Sequence, residues 1–387
     1  MRDRELGSVV GRVIEIASSV TNDDAERVDR EGVWPESSMR ALQAAGLGGL
    51  VVPVDDGGQG FGLFALARAS EILAERCAST ALCFGMHCVG SAVIAAKATA
   101  HHRERYLEPI VRGRHITTLA LSEPGTGAHF YLPQTRLFVR SPGELVLDGV
   151  KAFVTNGGHA DSYVVSAVAA DAGASPGTFS CVVVPRDAPG LEWGAEWGGL
   201  GMRGNSSRGM SLRNVVVPET QLLGAPGDQI WYVFSVVAPF FLIAMAGTYL
   251  GIASRALKET LEHVAKRRFE HSGGTLGEVA VVQHRLGTLF GLVERTRGLV
   301  HRAAHAADAG ESDALPSLCA AKAEVADCVV GAVNEAMTLC GGAAYRTDGV
   351  LWRLLRDARA AHVMSPTTDL LRTWIGRALL DLPLLGD

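Results

Sequence analysis

The most restrictive feature of this sequence is a long uncharged run in its second half. From Gln229 to Ser254 no residue is charged, and a run of about two dozen residues is long enough for a helix to cross a membrane. Pro239 interrupts the run, no basic cluster flanks it, and no second apolar run accompanies it, which argues against a membrane span. We therefore predict no membrane association and a helix buried on all sides, at a subunit interface or in the core.

Composition is typical of a globular protein and excludes several classes of function. Hydrophobic residues make up 48% of the 387 residues and charged residues 20%, with a net charge of −5. The absence of any Lys/Arg run longer than the three residues Lys266-Arg267-Arg268 argues against a nucleic-acid partner. The seven cysteines form no CxxC pair, and their odd number suits a reducing compartment, so we predict no metal site. Because the N-terminal segment is charged and lacks the apolar core of a signal peptide, we predict a cytoplasmic protein.

The spacing of apolar residues changes twice along the chain. Residues 1–115 have helical spacing, residues 116–224 contain short β-rich runs separated by turn residues, and helical spacing returns over residues 225–387. Asp148-Gly149, between two of the β-rich runs, predicts a two-residue hairpin turn. The sequence thus predicts an α+β fold with an N-terminal helical domain, a central antiparallel β-barrel-like domain and a C-terminal four-helix bundle. The four long helical stretches of the bundle are predicted at 236–269, 279–308, 313–341 and 351–382.

Several short phrases add chemical detail to this architecture. They are 120–127 (ALSEPGTG), 150–158 (VKAFVTNGG), 201–205 (GMRGN), 356–359 (RDAR) and 367–369 (TTD). In this order, the phrases resemble the acyl-CoA dehydrogenase family, and the resemblance runs over nearly the whole chain. It implies FAD as the cofactor and an acyl thioester as the substrate.

The resemblance also implies which residues contact FAD. The flat isoalloxazine ring needs backbone donors and hydroxyls along its edge, which strand ends can provide. Ser122 matches the position that hydrogen-bonds the pyrimidine side of the ring, Phe153 matches an aromatic that lies against the ring, and Thr155 matches the hydroxyl next to N5. Thr367 matches a hydroxyl contact to the cofactor, and it equally suits a helix cap. The residues that the resemblance assigns to the cofactor are Leu121, Ser122, Gly127, Ala128, Phe153, Thr155, Arg267, Gly341, Gly342, Thr367 and Asp369.

Part of the FAD site is expected to come from a neighbouring subunit, because the family holds the pyrophosphate and adenine partly across an interface. Arg267 resembles the arginine used there, with Arg268 as the alternative, and a guanidinium suits a diphosphate since it donates in a planar fork. The resemblance therefore implies a homodimer or homotetramer.

The sequence departs from the family at the catalytic base. The base is a carboxylate in the family, and Ser365 stands at one of its two known positions, while the uncharged Phe240-Phe241-Leu242 stretch occupies the other. A serine cannot take the α-proton unaided. We regard His362, Glu270 and His271 as candidate replacement bases. Next to the cofactor, Ala128-His129 replaces the usual Ser-Asp.

Three functions remain open from the sequence. The first is α,β-dehydrogenation of an acyl thioester carried on CoA or on acyl carrier protein, with a displaced base. The second is a flavin monooxygenase or oxidase on the same fold, and the third is a catalytically inactive flavin-binding relative. An electron-transfer flavoprotein or a flavin reductase is the expected redox partner.

Overall fold

The first part of the chain is helical. The computed structural model describes residues 2–170, 178–227 and 230–385, so Gln229, at the start of the uncharged run, lies outside the described residues. The α-helices before the first strand are α1 (Arg2–Ile16), α2 (Asn22–Glu31), α3 (Glu36–Ala44), α4 (Leu63–Ala74), α5 (Ala78–Ala96), α6 (Ala100–His102) and α7 (Glu108–Val111).

A mixed sheet follows. Its strands are β1 (Thr117–Ala120), β2 (Arg136–Ser141), β3 (Glu144–Val154), β4 (Ser162–Ala169), β5 (Phe179–Pro185), β6 (Leu191–Trp193), β7 (Arg208–Pro218) and β8 (Leu222–Leu223). The strand order is β6-β7-β3-β2-β4-β5-β8, and β1 also pairs with β4. The predicted α+β class is confirmed, but within the described residues the sheet is open, not closed as a barrel.

The chain leaves the sheet and returns to it along the same edge of β4. β1 and β2 both pair with β4 in parallel, β1 along Ser162–Val165 and β2 along Val168–Ala169, while β5 covers the opposite edge. The chain therefore departs after β1 and returns to the same edge at β2. Residues 121–135, the excursion loop, contain the first of the sequence phrases. The two parallel pairings also correct the expectation of a purely antiparallel domain.

The prediction of a hairpin turn at Asp148-Gly149 is wrong. β3 continues through these residues without a turn. The turn between β2 and β3 lies at Pro142-Gly143, where Gly143 has φ 86°. The register of β3 against β7 shifts between Leu147 and Gly149. A Cβ atom at Gly149 would lie 2.6 Å from Thr135 Oγ1. Glycine is required here because the chain segments approach closely and β3 has a β-bulge. An Asp-Gly pair at such a place looks the same in the sequence as an Asp-Gly turn.

The C-terminal part is again helical. Its α-helices are α8 (Ile230–Tyr232), α9 (Ala238–Lys266), α10 (Ala280–Asp308), α11 (Ala314–Cys340), α12 (Val350–Ala358), α13 (Ala360–Val363) and α14 (Thr368–Leu379). The single helix expected at 351–382 is instead broken into three, with a cis peptide bond between Ser365 and Pro366 in the second break. Proline lacks an N–H donor and disfavours helical backbone before it, so the helix cannot continue there.

The uncharged run is helical and buried. A π-helical turn, Val233–Val237, joins α8 to α9, and Pro239 lies in the first turn of α9, where its missing N–H is tolerated. Pro239 therefore does not interrupt the run. The expectation of a single apolar run is also wrong, because α5 is long and apolar enough to cross a membrane as well. The apolar windows of α5 and Val233–Lys266 are 94% and 72% buried, which is the burial expected of core helices.

Candidate active site

A cavity of about 550 Å³ lies where the sheet meets both helical parts of the chain. The excursion loop forms one wall, the end of β3 forms the floor, and residues 360–367 form the opposite wall. Apolar side chains of α5 and α9, including Met86 and Phe241, close the cavity. This volume is in the range of small-molecule and cofactor sites, about 300–1,000 Å³.

The structure brings most of the predicted site residues to this one cavity. Those that line it are Leu121, Ser122, Gly127, Ala128, Phe153, Thr155, Ser365 and Thr367. Thr367 also accepts a hydrogen bond from the Leu370 amide at 3.4 Å, so it caps α14 while facing the cavity. Both roles considered for this hydroxyl are therefore compatible.

The remaining predicted cofactor residues lie elsewhere. Arg267 follows the end of α9, and Gly341-Gly342 follow the end of α11. These helix ends are neighbours, because Val264 and Leu339 pack in one hydrophobic cluster. All of these predicted residues are exposed, as is Asp369 in the first turn of α14. Their assignment to FAD remains a prediction that depends on a neighbouring subunit.

Phe153 has an unusual conformation for an aromatic residue. Its side chain is 67% exposed although it lines the cavity, and its backbone has φ 55° in the left-handed region. The Ala152 amide donates to the Ser122 carbonyl at 2.8 Å, which ties the end of β3 to the excursion loop. A non-glycine residue persists in this region only when its surroundings hold it there, and such strain concentrates at ligand sites. An aromatic face is therefore presented to the cavity.

Lys151 holds the excursion loop in place through a buried ion pair and hydrogen bonds. Its side chain is fully buried, and its Nζ donates to Glu123 Oε1 at 2.5 Å, to the Ser166 carbonyl at 2.6 Å and to the Leu121 carbonyl at 3.5 Å. Burial lowers the pKa of Lys151 to about 8, and Glu123 opposes that shift. The ion pair therefore connects β3 with the part of the loop that carries Ser122.

Glu123 is the only acidic residue among the described residues that line the cavity. Its carboxylate accepts from the Gln134 amide at 2.7 Å and from the Thr135 amide and hydroxyl at 3.1 and 2.7 Å, besides Lys151. Burial alone would raise the pKa of Glu123, but Lys151 and these donors hold it below its usual value. Glu123 thus has a structural role and is not free to accept a substrate proton.

Ser365 faces the cavity at the position where the family has its base. Its Oγ donates to the Ala128 carbonyl at 3.0 Å, which joins the two walls. His362 does not line the cavity: its Nδ1 lies 3.2 Å from Thr368 Oγ1, and its Nε2 lies 3.6 Å from Asp327 on α11. Glu270 and His271, in the exposed loop after α9, do not line it either. None of the three candidate replacement bases is therefore brought to the cavity.

The Arg-Asp-Ala-Arg phrase joins the three parts of the chain. Asp357 accepts from the Met202 amide at 2.5 Å, while Arg356 donates to the Leu200 carbonyl at 3.1 Å and pairs with Asp29 on α2. A Cβ atom at Gly201 would lie 2.4 Å from the Arg356 carbonyl. The glycine therefore permits this contact, and the two phrases act together as an interdomain joint.

Asp357 is expected to make stability depend on pH. Burial raises its pKa to about 6 from 3.8, so the folded state binds the proton more tightly than the unfolded state does. The resulting contribution to the free energy of unfolding is fully present below about pH 4 and is lost as pH rises through 6. Asp357→Asn removes this titration while its amide oxygen still accepts from Met202. Between pH 4 and pH 7, we expect wild-type stability to fall by roughly 2–3 kcal/mol more than that of the variant.

Urea denaturation of both proteins across that pH range measures the difference. Parallel stability curves for the two proteins would show that Asp357 keeps an ordinary pKa.

Sequence reasoning missed several residues that shape the site. Lys151 and Glu123 belong to the phrases 150–158 and 120–127. The signal that could have indicated their buried ion pair was a lysine at an inward-facing position of a β-strand. Trp197 lines the cavity and packs edge-on against Phe153 at 6.2 Å between ring centroids. No local pattern marked Trp197, because its contact is with a residue that is distant along the chain.

Comparisons with known proteins agree over nearly the whole chain. Models of the acyl-CoA dehydrogenase N-terminal, middle and C-terminal domains match residues 5–114, 118–215 and 241–380. A cyclohex-1-ene-1-carbonyl-CoA dehydrogenase of Geobacter metallireducens is 29% identical, over 95% of this chain and 96% of the relative.

Two solved structures have the same fold. One is butyryl-CoA dehydrogenase from Megasphaera elsdenii, with a TM-score of 0.90, 24% identity and coverage of 97% of this chain and 98% of the other. The second is the prolyl acyl carrier protein oxidase AnaB, with a TM-score of 0.84, 23% identity and the same coverage. The family-model matches extend through all three domains in order, and the chain belongs to the acyl-CoA dehydrogenase family of FAD-dependent oxidoreductases.

Proposed function

We propose that this protein oxidises an acyl thioester by α,β-dehydrogenation, with the isoalloxazine ring of FAD bound in the cavity of about 550 Å³. The observation that carries the proposal is the convergence of Ser122, Phe153, Thr155 and Ser365 on one largely apolar cavity. They come from the excursion loop, the end of β3 and the segment between α13 and α14, and only the folded chain brings them together.

The residues present fit a flavin. Phe153 offers an exposed aromatic face, Ser122 and Thr155 offer hydroxyls, and Thr155 Oγ1 lies 3.2 Å from Ser207 Oγ. A flat ring system with one polar edge matches this combination of an apolar surface and a few oriented polar groups. When bound, FAD would accept the β-hydride of the substrate. The protein's part is to orient both molecules. The α-proton would leave to a water molecule, because Glu123 is the only acidic residue among the described residues that line the cavity and it is paired with Lys151.

The substrate carrier and the redox partner belong to the same proposal. CoA and a carrier protein are both candidates, because the cyclohex-1-ene-1-carbonyl-CoA dehydrogenase is named for a CoA thioester and AnaB is named for an acyl carrier protein. An electron-transfer flavoprotein or a flavin reductase would exchange electrons with the protein. We also propose a homodimer or homotetramer in the cytoplasm. The seven cysteines are all free and buried, which suits a reducing compartment.

One observation favours a second candidate function. Among the described residues that line the cavity, the only carboxylate is Glu123, which is engaged by Lys151, and no histidine lines it. A dehydrogenase needs a group to take the α-proton. A flavin monooxygenase or oxidase on the same fold is therefore the alternative, with oxygen as co-substrate.

Anaerobic mixing of the FAD-loaded protein with acyl thioesters tests the proposal. We expect the visible flavin band to bleach with at least one apolar acyl-CoA or acyl carrier protein, and air to restore it. Reduction only by a flavin reductase system, followed by oxygen-dependent hydroxylation of the substrate, would replace the proposal with the monooxygenase. A flavin that no donor reduces would indicate an inactive relative.

A further inference from the structure

Lys322 on α11 is a buried cation that binds main-chain oxygens. Its side chain has no exposed surface, and its Nζ donates to the carbonyls of Ala361, Met364 and Pro366 at 2.9, 3.1 and 2.9 Å. No ion pair among the described residues includes it. An ammonium has three donors, and here all three are used on one short segment of the chain.

That segment is the wall of the cavity opposite the excursion loop. Residues 360–367 connect α12 with α14, and six of them line the cavity, among them Ser365 and Thr367. Because the helix is broken twice here, carbonyls near the breaks lack the amide partners that a continuous helix would supply. Lys322 provides donors to three of these carbonyls and so gives an irregular wall a fixed shape.

Besides the contacts of His362 described above, two further contacts hold the same wall. The Tyr249 hydroxyl lies 3.7 Å from Met364 Sδ, and Ser365 Oγ donates to the Ala128 carbonyl at 3.0 Å. These two contacts are single hydrogen bonds, one of them to a weakly accepting sulfur. Lys322, with three charge-assisted bonds, makes more hydrogen bonds to this wall than any other side chain among the described residues.

We propose that Lys322 is a positioning residue of the active site, which holds residues 360–367 in the shape that orients the ligands of the cavity. The inference rests on the proposed function in so far as those ligands are FAD and an acyl thioester. Lys322 acts through the wall, since its Nζ is directed to the three carbonyls and it does not line the cavity.

The test combines a local reporter with cofactor binding. Lys322→Met keeps the length and apolar stem but removes all three donors, whereas Lys258→Met, at an exposed lysine of α9, is the matched control. Val363 is 67% exposed in the wall, and the native cysteines are buried, so Val363→Cys can be spin-labelled selectively. The spectrum of the label then reports the mobility of the wall, and FAD titration of the unlabelled proteins gives the Kd.

We expect Lys322→Met to add a mobile component to the spin-label spectrum and to raise the Kd for FAD at least tenfold, with neither change in Lys258→Met. A lower Tm for Lys322→Met with an unchanged spectrum and Kd would overturn the proposal, because it would show a purely structural lysine. If Lys322→Met does not fold, Lys322→Gln replaces it in the test. Glutamine keeps two donors, so we expect smaller changes of the spectrum and the Kd in the same direction. An unchanged spectrum and Kd in this variant would also overturn the proposal. If wild type binds no FAD, the proposed function fails, and the spin-label comparison still decides the role of Lys322.

Discussion

Replacing Ser365 with glutamate is expected to speed reduction of the flavin by an acyl-CoA about 100- to 10,000-fold, the usual contribution of a general base. Ser365 lines the cavity and is only partly buried, so a longer side chain has room to enter. The new carboxylate would face a substrate in the cavity and take up the α-proton. Partial desolvation would raise its pKa toward neutrality, where proton abstraction is most efficient. Anaerobic stopped-flow absorbance measures the rate.

Ser365→Gln is the matched control, since glutamine has the size of glutamate but accepts no proton. It also removes the hydrogen bond from Ser365 to the Ala128 carbonyl, so any effect of losing that contact appears in both variants. Equal rates in the two variants, with FAD bound, would mean that the thioester does not occupy this position. The oxygen-using alternative would then become the better account.

Removing Lys151 is expected to cost a large part of the stability of the molecule. Lys151→Met leaves the buried Glu123 carboxylate without its cation, and breaking a buried pair from one side typically costs about 3–5 kcal/mol. In wild type the lowered pKa of Glu123 contributes stability that is present above its ordinary pKa and lost as pH falls through the folded value. The deficit of the variant should therefore shrink in acid, where the carboxyl group is neutral.

Urea denaturation at neutral and acid pH measures this deficit. Lys258→Met, which breaks the exposed pair between Lys258 and Glu75, is the control and should cost no more than about 1 kcal/mol. A Lys151→Met variant that loses as little as this control would show that the pair is not a main support of the excursion loop.

The order of helical, β and helical segments could be predicted because it depends on local periodicity. Two of the errors have a common physical origin in contacts between distant segments. Asp148-Gly149 resembles a turn, but its glycine accommodates Thr135, the last residue of the excursion loop. The parallel pairing of β1 and β2 on one edge of β4 has no sequence signature. The break at Ser365-Pro366 has a local cause instead, because proline ends a helix, and this signal was present in the sequence.

The residues of the candidate site could likewise be predicted only in part. Short phrases that resemble the acyl-CoA dehydrogenase family identified the residues of the excursion loop and of the end of β3. They could not show that Lys322, far along the chain, shapes the wall around Ser365, or that His362 turns toward Asp327. Arg267 and Gly341 lie outside the cavity, so their predicted roles depend on a second chain.

Binding of FAD to wild type, Phe153→Asp and Phe138→Asp tests the central claim most directly. Both phenylalanines are exposed aromatic residues of the sheet domain, but only Phe153 lines the cavity. Aspartate tolerates the left-handed backbone at position 153 better than phenylalanine does, so loss of folding is not expected. We expect one FAD per chain in wild type and in Phe138→Asp, and a Kd at least tenfold higher in Phe153→Asp. A wild-type protein that binds no FAD, or equal affinity in all three proteins, would contradict the assignment of this cavity as the flavin site.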